Sequence, residues 1–567
     1  MFDRKRRQVL HWLGAGVAVP ALGGCAVSQP APDHFASTVV PEHSGFDLLY
    51  VADTLDSRAP RRPGLPDVYL GPARYQGQAP WLRGAVCRSR LETEQVDAAV
   101  IDWFDNESVA SPQGGYARLV ALLEQCRQEA QEAGLQSLTL ENGQCWNGSG
   151  LAYLTAGASG LWGSRLLGSE LRVSSDERVL WPDRINALYT QARQDGPITL
   201  AATLEENERV SAALEPFNII RRGGVDVAVV GACDPYASDQ SGSLEEWFRR
   251  LQKRVEQARE KAQLVVILAD VGTGPAFWLA QKLEGADLIL AARGQDLWPR
   301  LIRDKGACPV CLPGSGAVGL FRVRVRRAAN GWLFDDAFLP AIDRVLNPNA
   351  QANARAVQET LDRQRLPHAA WLDQPLAKAP ARLARRDLFA GSWDQLIHEA
   401  LTEEGEVTAV LPGWRYDMPL GPGDWIRREH LLMLSGSAEA RLKRFRMSPA
   451  QMQQLLEQAA EQLWSTPQLL DNSEDLPRLL DCRYRLDYGQ GPYVTRFDPP
   501  QGRLMDQAVE CVTLVRSPTG EGAPLWQTLE TYLRRQPEGW TLPQPAAPTV
   551  RFVEGHPGWV KGQRSPA

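Results

Sequence analysis

From Phe46 onward the chain alternates short apolar runs with longer, more polar stretches. The runs Asp47–Ala52, Ala98–Trp103, Ser137–Leu140, Val225–Gly231, Leu264–Ala269 and Ala286–Ala291 predict buried strands, and Gly115–Ala133 and Ser243–Ala262 predict helices between them. That βα rhythm predicts a layered α/β domain whose strands are covered on both faces. Leu320–Arg327 and Trp332–Leu339 flank Asn330-Gly331, the signature of a hairpin that closes the domain.

The pattern changes after residue 340. Residues 341–385 are polar and rich in Gln, Ala and Arg, with an amphipathic helix over Ala350–Arg365, and read as a bridging helix and linker. A second, α+β domain follows over 386–567, with a helix at Trp393–Thr402 and a strand at Val407–Leu411. Ser448 is placed as the N-cap of a helix running from Pro449 through Leu463. The C-terminal residues 538–567, rich in Pro and Gly, are expected to be irregular.

The N-terminus is a targeting signal. Arg4, Lys5, Arg6 and Arg7 precede an apolar stretch too short to span a bilayer, which ends in the lipobox Leu22-Gly23-Gly24-Cys25. Cys25 is the expected lipidation site and first mature residue, and Arg6-Arg7-Gln8-Val9-Leu10 resembles a twin-arginine export signal. Residues 1–25 are then a leader, 26–45 a tether and 46–340 the first domain of a periplasmic lipoprotein anchored to the membrane through Cys25. Ala26 favours the outer membrane. A length of 567 residues is too great for one core, which supports two domains. The net charge of −6 argues against a nucleic-acid partner. In an oxidising compartment some cysteines could pair. Cys308-Pro309-Val310-Cys311 has CxxC spacing but no second pair, so a disulfide or two inert thiols is expected rather than zinc.

The first strand ends in Asp53-Thr54, and a carboxylate at the tip of a buried strand needs a partner. No histidine lies between His43 and His368, the whole span of the first domain, so a metal centre there would lack the usual nitrogen ligand. Asp53, Asp56, Asp270 and Asp296 are the oxygen donors such a centre could use for Mg²⁺ or Ca²⁺. Asp102–Glu107 reads as a solvated acidic loop, and His398 and His430 as surface residues. No Ser-His-Asp arrangement or phosphate-cradling glycine loop suggests another chemistry.

Landmarks in fixed order give a resemblance. Leu138-Thr-Leu-Glu-Asn-Gly-Gln-Cys-Trp-Asn-Gly-Ser-Gly150 resembles the second signature of SoxB-type thiosulfohydrolases, members of the 5′-nucleotidase family of metallophosphoesterases. The match runs through Leu166-Leu167-Gly168, Asp226–Gly231, Ala286–Leu290, Pro313-Gly314-Ser315 and Trp393-Asp394-Gln395-Leu396-Ile397, to Leu411-Pro-Gly-Trp-Arg-Tyr416. The resemblance implies a metallophosphoesterase-like α/β sandwich followed by a 5′-nucleotidase C-terminal-like domain. It also implies two divalent metals (Mn or Zn) activating water. The ligand positions have changed, however. Asp53 is retained, but Leu55, Gln144, Ser175, Asp270, Arg293 and Gln295 stand at the remaining metal-site positions. Arg293 is expected to pair with Asp53, and no cofactor is expected. Arg415 matches the family arginine that faces the cleft, with anion binding and a domain-interface salt bridge both open; Trp146, Trp414 and Tyr416 are expected to pack in the core. The function implied is a catalytically degenerate binding or accessory protein in thiosulfate oxidation, with a sulfur-carrier protein or an active hydrolase as partner. An active hydrolase with an oxygen-only metal site, and a structural envelope lipoprotein, are the alternatives.

Overall fold

The structure, a computed structural model, describes residues 45–551 apart from 62–69, 76, 83, 106–111, 206–211, 330, 404–406, 437–438, 466–467, 490, 501, 517–521 and 544–547. The leader and most of the tether, Cys25 included, lie outside the described residues. Two six-stranded sheets form the first domain. The first contains β1 (Gly45–Ala52), β2 (Gln136–Asn142), β3 (Leu171–Val173) and β4 (Ile198–Leu200). The second contains β5 (Phe217–Arg222), β6 (Val225–Ala232), β7 (Leu264–Ala269), β8 (Leu288–Ala291), β9 (Leu297–Ile302) and β10 (Val310–Pro313). The hairpin strands β11 (Gly319–Ala328) and β12 (Gly331–Pro340) return to the first sheet, giving the order β12-β11-β1-β2-β3-β4 against β5-β6-β7-β8-β10-β9. β1 to β4 run parallel to one another, as do β6, β7, β8 and β10.

The continuous apolar runs follow from a four-layer packing. In β7, Leu264, Val266 and Leu268 face the other sheet, while Val265, Ile267 and Ala269 face the helices Leu244–Arg259 and Thr273–Lys282. In β1, Phe46, Leu48 and Tyr50 point inward, and Leu49 and Val51 meet the helix Tyr116–Glu132. Alternation is thus between two buried faces, which leaves few polar positions in the pattern; Asp47 in β1 is an exception, ion-paired with Arg322 and Arg324.

The predicted strand Ala98–Trp103 is instead a helix, Ala98–Asp105. Val100, Ile101, Trp103 and Phe104 are buried and Asp102 is exposed, which is helical spacing, and the Asp97 carboxylate accepts the Ala99 N–H at 2.8 Å. The acidic segment expected as a loop is therefore helical as far as Asp105, with 106–107 outside the described residues. The bridging helix is longer than predicted, Pro348–Leu372. It starts at the N-cap Asn347, and its Ala350, Ala354 and Leu361 pack with Leu119 and Leu123 of the first domain.

In the second domain the helices Ser392–Thr402 and Leu525–Arg534 pack beside a three-stranded sheet of Thr408–Ala409, Val509–Arg516 and Ala440–Met447. The predicted strand Val407–Leu411 is shortened to the first of these. The helix Pro449–Trp464 has Ser448 as N-cap, with a capping box completed by Gln451. Within the C-terminal stretch expected to be irregular, Thr549–Arg551 pairs with Arg483–Asp487. No disulfide joins any two of the eight described cysteines; Cys311 is buried in the core and Cys308 is half-buried. No helix among the described residues is long and apolar enough to cross a membrane.

Candidate functional site

Parallel strands deliver their C-terminal ends to one edge of the sandwich, where the loops meet the second domain. Asp53 follows β1, Gln144 follows β2, Ser175 and Asp176 follow β3, Asp234 follows β6, Asp270 follows β7, and Arg293 and Gln295 follow β8. The loops are bent. Asp53, Leu55, Asp56, Arg293 and Gln295 have φ between 43° and 58°, a left-handed conformation that L residues seldom adopt and that concentrates at sites under constraint.

Arg293 is the centre of the cluster. Its Nη2 lies 2.8 Å from both Asp176 Oδ1 and Asp234 Oδ2, and its Nη1 lies 3.4 Å from Asp270 Oδ2. The second domain closes on the same acid: Arg516 Nη2 donates to Asp176 Oδ2 at 2.7 Å and the Tyr416 hydroxyl donates to it at 3.0 Å. Gln144 Nε2 donates to Asp176 Oδ2 at 3.0 Å and to the Tyr416 oxygen at 2.6 Å. Burial alone would raise the Asp176 pKa, but the charges of Arg293 and Arg516 outweigh it and hold the carboxyl far below its ordinary range. Asp270 goes the other way: burial, opposed by Arg293 and reinforced by Asp234 and Asp176, pushes it up to about 7.

The expected Asp53–Arg293 ion pair is not formed. Asp53 Oδ1 accepts the Gln144 backbone N–H at 3.0 Å, and no donor among the described residues reaches Oδ2. Burial, eased by that hydrogen bond and reinforced by the neighbouring Asp270, raises Asp53 to about 7. Arg293 takes Asp176 and Asp234 because both lie within reach of one guanidinium nitrogen. Leu55 is 3% exposed and is absorbed into the apolar core of the second domain with Trp393, Trp414 and Tyr416. Ser175 is buried, and its N–H donates to Glu177 Oε1 at 3.0 Å. Gln295 Oε1 accepts from Ser315 Oγ at 3.4 Å.

Arg415 is a domain-interface salt bridge: its Nε lies 3.0 Å from Asp475 Oδ1 and its Nη1 3.5 Å from Asp296 Oδ2. His398 is mostly buried against Asp481 at 2.9 Å, which raises its pKa despite burial. His430 accepts the Arg427 N–H, and burial lowers it to about 4. Neither is the surface residue expected. Trp146 packs as expected, fully buried, with the Arg172 guanidinium 4.0 Å from its ring centre. Tyr416 is also buried, but its hydroxyl is part of the cluster.

A dimetal centre does not fit these residues. On the resemblance, the ligand positions other than Asp53 hold Leu55 inside an apolar core, Ser175, Asp270, Arg293 and the amide of Gln295, and the bridging position holds the neutral Gln144. Asp176, Asp234 and Asp270 are engaged by Arg293, and Asp53 is not. Among the described residues no group of three or more His, Cys, Asp or Glu side chains is placed to hold a metal ion. Asp53 Oδ2 and Asp270 Oδ1 are the carboxylate oxygens at these positions left without a hydrogen-bond partner among the described residues.

Sequence reasoning missed Asp176, Asp234 and Arg516. Asp234 sits just beyond the end of β6, a signal that was readable beside the recognised run. Arg516 ends a strand of the second domain, and nothing local marks it.

The fold is that of the two-domain SoxB and 5′-nucleotidase structures. No family model matches the sequence, and no curated protein matches it. Among solved structures, the chain is similar to Thermus thermophilus sulfate thiohydrolase SoxB in complex with glycerol, at 25% identity and a TM-score of 0.77, over 91% of this chain and 98% of that one. A 5′-nucleotidase precursor, also from Thermus thermophilus, follows at 15% identity and a TM-score of 0.62, over 90% and 99%. The 5′-nucleotidase of Candida albicans shares the fold at 9% identity and a TM-score of 0.55, over 87% and 98%.

Proposed function

We propose that this chain is an exported lipoprotein of SoxB-like architecture that acts by binding rather than by hydrolysis, as an accessory to thiosulfate oxidation. Its partner on this reading is a sulfur-carrier protein or an active hydrolase, and its place is the periplasmic face of a membrane, held through Cys25. One observation carries the reading. A guanidinium stands among Asp176, Asp234 and Asp270 and ion-pairs with all three at the strand ends where the resemblance would put the metals. A buried positive charge on a side chain supplies the neutralisation those acids need but offers no Lewis acid and no bound water.

The test is elemental analysis of the full chain purified without chelator after exposure to Mn²⁺, Zn²⁺ and Mg²⁺. Metal at background level is expected. Near two tightly held equivalents would overturn the reading and favour a hydrolase with an oxygen-rich centre. In the source organism, deleting the gene should impair thiosulfate oxidation while hydrolase activity persists in extracts.

A further inference from the structure

Leu55 of the first domain is buried in the second, and the second domain returns the exchange through Leu469. That side chain, in the turn Gln468–Leu470, belongs to the same apolar core as Val271, Ala276 and Phe277 of the first domain, and the Tyr236 hydroxyl donates to its carbonyl. Four residues on, Ser473 is buried against Gly272, where an added Cβ would overlap its Oγ. Gly272 follows Asp270 by two residues and lies against Gly294, the neighbour of Arg293: a Cβ added at Gly294 would come 3.3 Å from the Gly272 Cα. The chain regains the second domain at Asp475, whose N–H donates to the Gly413 carbonyl at 2.7 Å and whose Oδ1 lies 3.0 Å from Arg415 Nε. Residues 469–475 therefore cross from one domain to the other over the strand-end loops.

The crossing segment has a fixed shape and a weak seat. Asp471 Oδ1 accepts the Ser473 N–H at 2.8 Å and Asn472 Oδ1 accepts the Glu474 N–H at 3.2 Å, so its turns are held by its own side chains. Ser473 has φ +64°, a conformation that an L residue keeps only where its surroundings impose it. Two acids oppose the seat. Burial raises Asp471 to about 6 against the charge of Arg415, and burial raises Glu474 against the charges of Arg516, Arg293 and Arg415. A carboxylate whose burial outweighs its nearby cations is better placed in water. Leu469, the Tyr236 hydroxyl and Ser473 thus hold down a segment whose two acids burial disfavours.

We propose that residues 469–475 are a strap that lies shut over the strand-end cluster in the resting protein, and that it lifts as a unit, with the rest of both domains folded, before anything reaches Arg293. The strap depends neither on the accessory role proposed above nor on whether the cluster holds metal.

The experiment is hydrogen exchange of the full chain, read by mass spectrometry. In wild type the amides of 470–475 and of the loops 270–272 and 292–295 exchange together, about tenfold or more faster than those of β7 and β8. Leu469→Ser removes the root in the first domain and speeds both groups about tenfold, while β7, β8 and the helix Pro449–Trp464 keep their wild-type rates. Tyr236→Phe removes only the hydroxyl and shifts both groups in the same direction, which preserves the test should the serine variant fold poorly. Asp471→Asn keeps the acceptor for Ser473 without the charge and slows both groups about threefold or more. Loops 270–272 and 292–295 that keep wild-type rates while 470–475 speed up overturn the strap. So do amides of 470–475 that exchange only as fast as β7 and β8, or an Asp471→Asn variant no slower than wild type.

Discussion

Asp176 accepts from Arg293, Arg516, Gln144 and Tyr416, so its removal takes the carboxylate from Arg516 and leaves Arg293 with Asp234 and Asp270. Breaking a buried pair from one side costs about 3–5 kcal/mol, and Asp176→Ala is expected to lose at least that much in denaturant unfolding. The pH response separates the acids. Asp53 and Asp270 have folded pKa values raised to about 7. Their unfolded value is about 3.9, so between these limits the folded chain binds more protons than the unfolded one. Their contribution is therefore fully present below about pH 4 and is lost as pH rises through 7. Asp176 has the opposite sign: its lowered pKa stabilises above the unfolded value and is lost only in strong acid. Melting midpoints measured from about pH 5 to 8 should fall, and Asp53→Asn should flatten the fall. An unchanged slope in Asp53→Asn would remove Asp53 from that account.

At the scale of elements, local chemistry decides some boundaries cleanly. Ser448 and Gln451 exchange side-chain hydrogen bonds with each other's backbone, and Pro449 opens the helix. Loss of such a cap costs about 0.5–2 kcal/mol, and Ser448→Ala is expected to fall in that range by chemical denaturation, with Gln451→Ala not fully additive to it. Elsewhere the local signal is insufficient. Ala98–Asp105 carries enough apolar residues for a buried strand, and only the exposed Asp102 between Ile101 and Trp103 betrays the helical period. The Leu264–Ala269 run was legible as a strand because both of its faces are buried, so no polar residue interrupts it.

For the molecule as a whole, the two domains share one electrostatic centre. Gln144, Arg293 and Asp176 come from the first domain, Tyr416 and Arg516 from the second, and Leu55 of the first packs in the core of the second. Wild type is expected to unfold in a single calorimetric transition. Arg516→Ala leaves one oxygen of Asp176 without its cross-domain cation, so it should lower the midpoint and broaden or split the transition. A sharp transition at the wild-type midpoint would show that the domains hold together without this contact.

The sequence by itself determined the layered α/β fold and the absence of histidine between His43 and His368, because burial patterns and residue types are local properties. It also located Asp53, Gln144, Ser175, Asp270, Arg293 and Gln295 in their loops. Which acids Arg293 meets was decided only in three dimensions. Asp176 and Asp234 lie in the loops that follow strands of opposite sheets, and a guanidinium reaches both because the sheets pack face to face. The fate of Arg415 was decided there too: Asp475 and Asp296 arrive within ion-pairing distance from other parts of the chain, and no spacing along the chain encodes that distance.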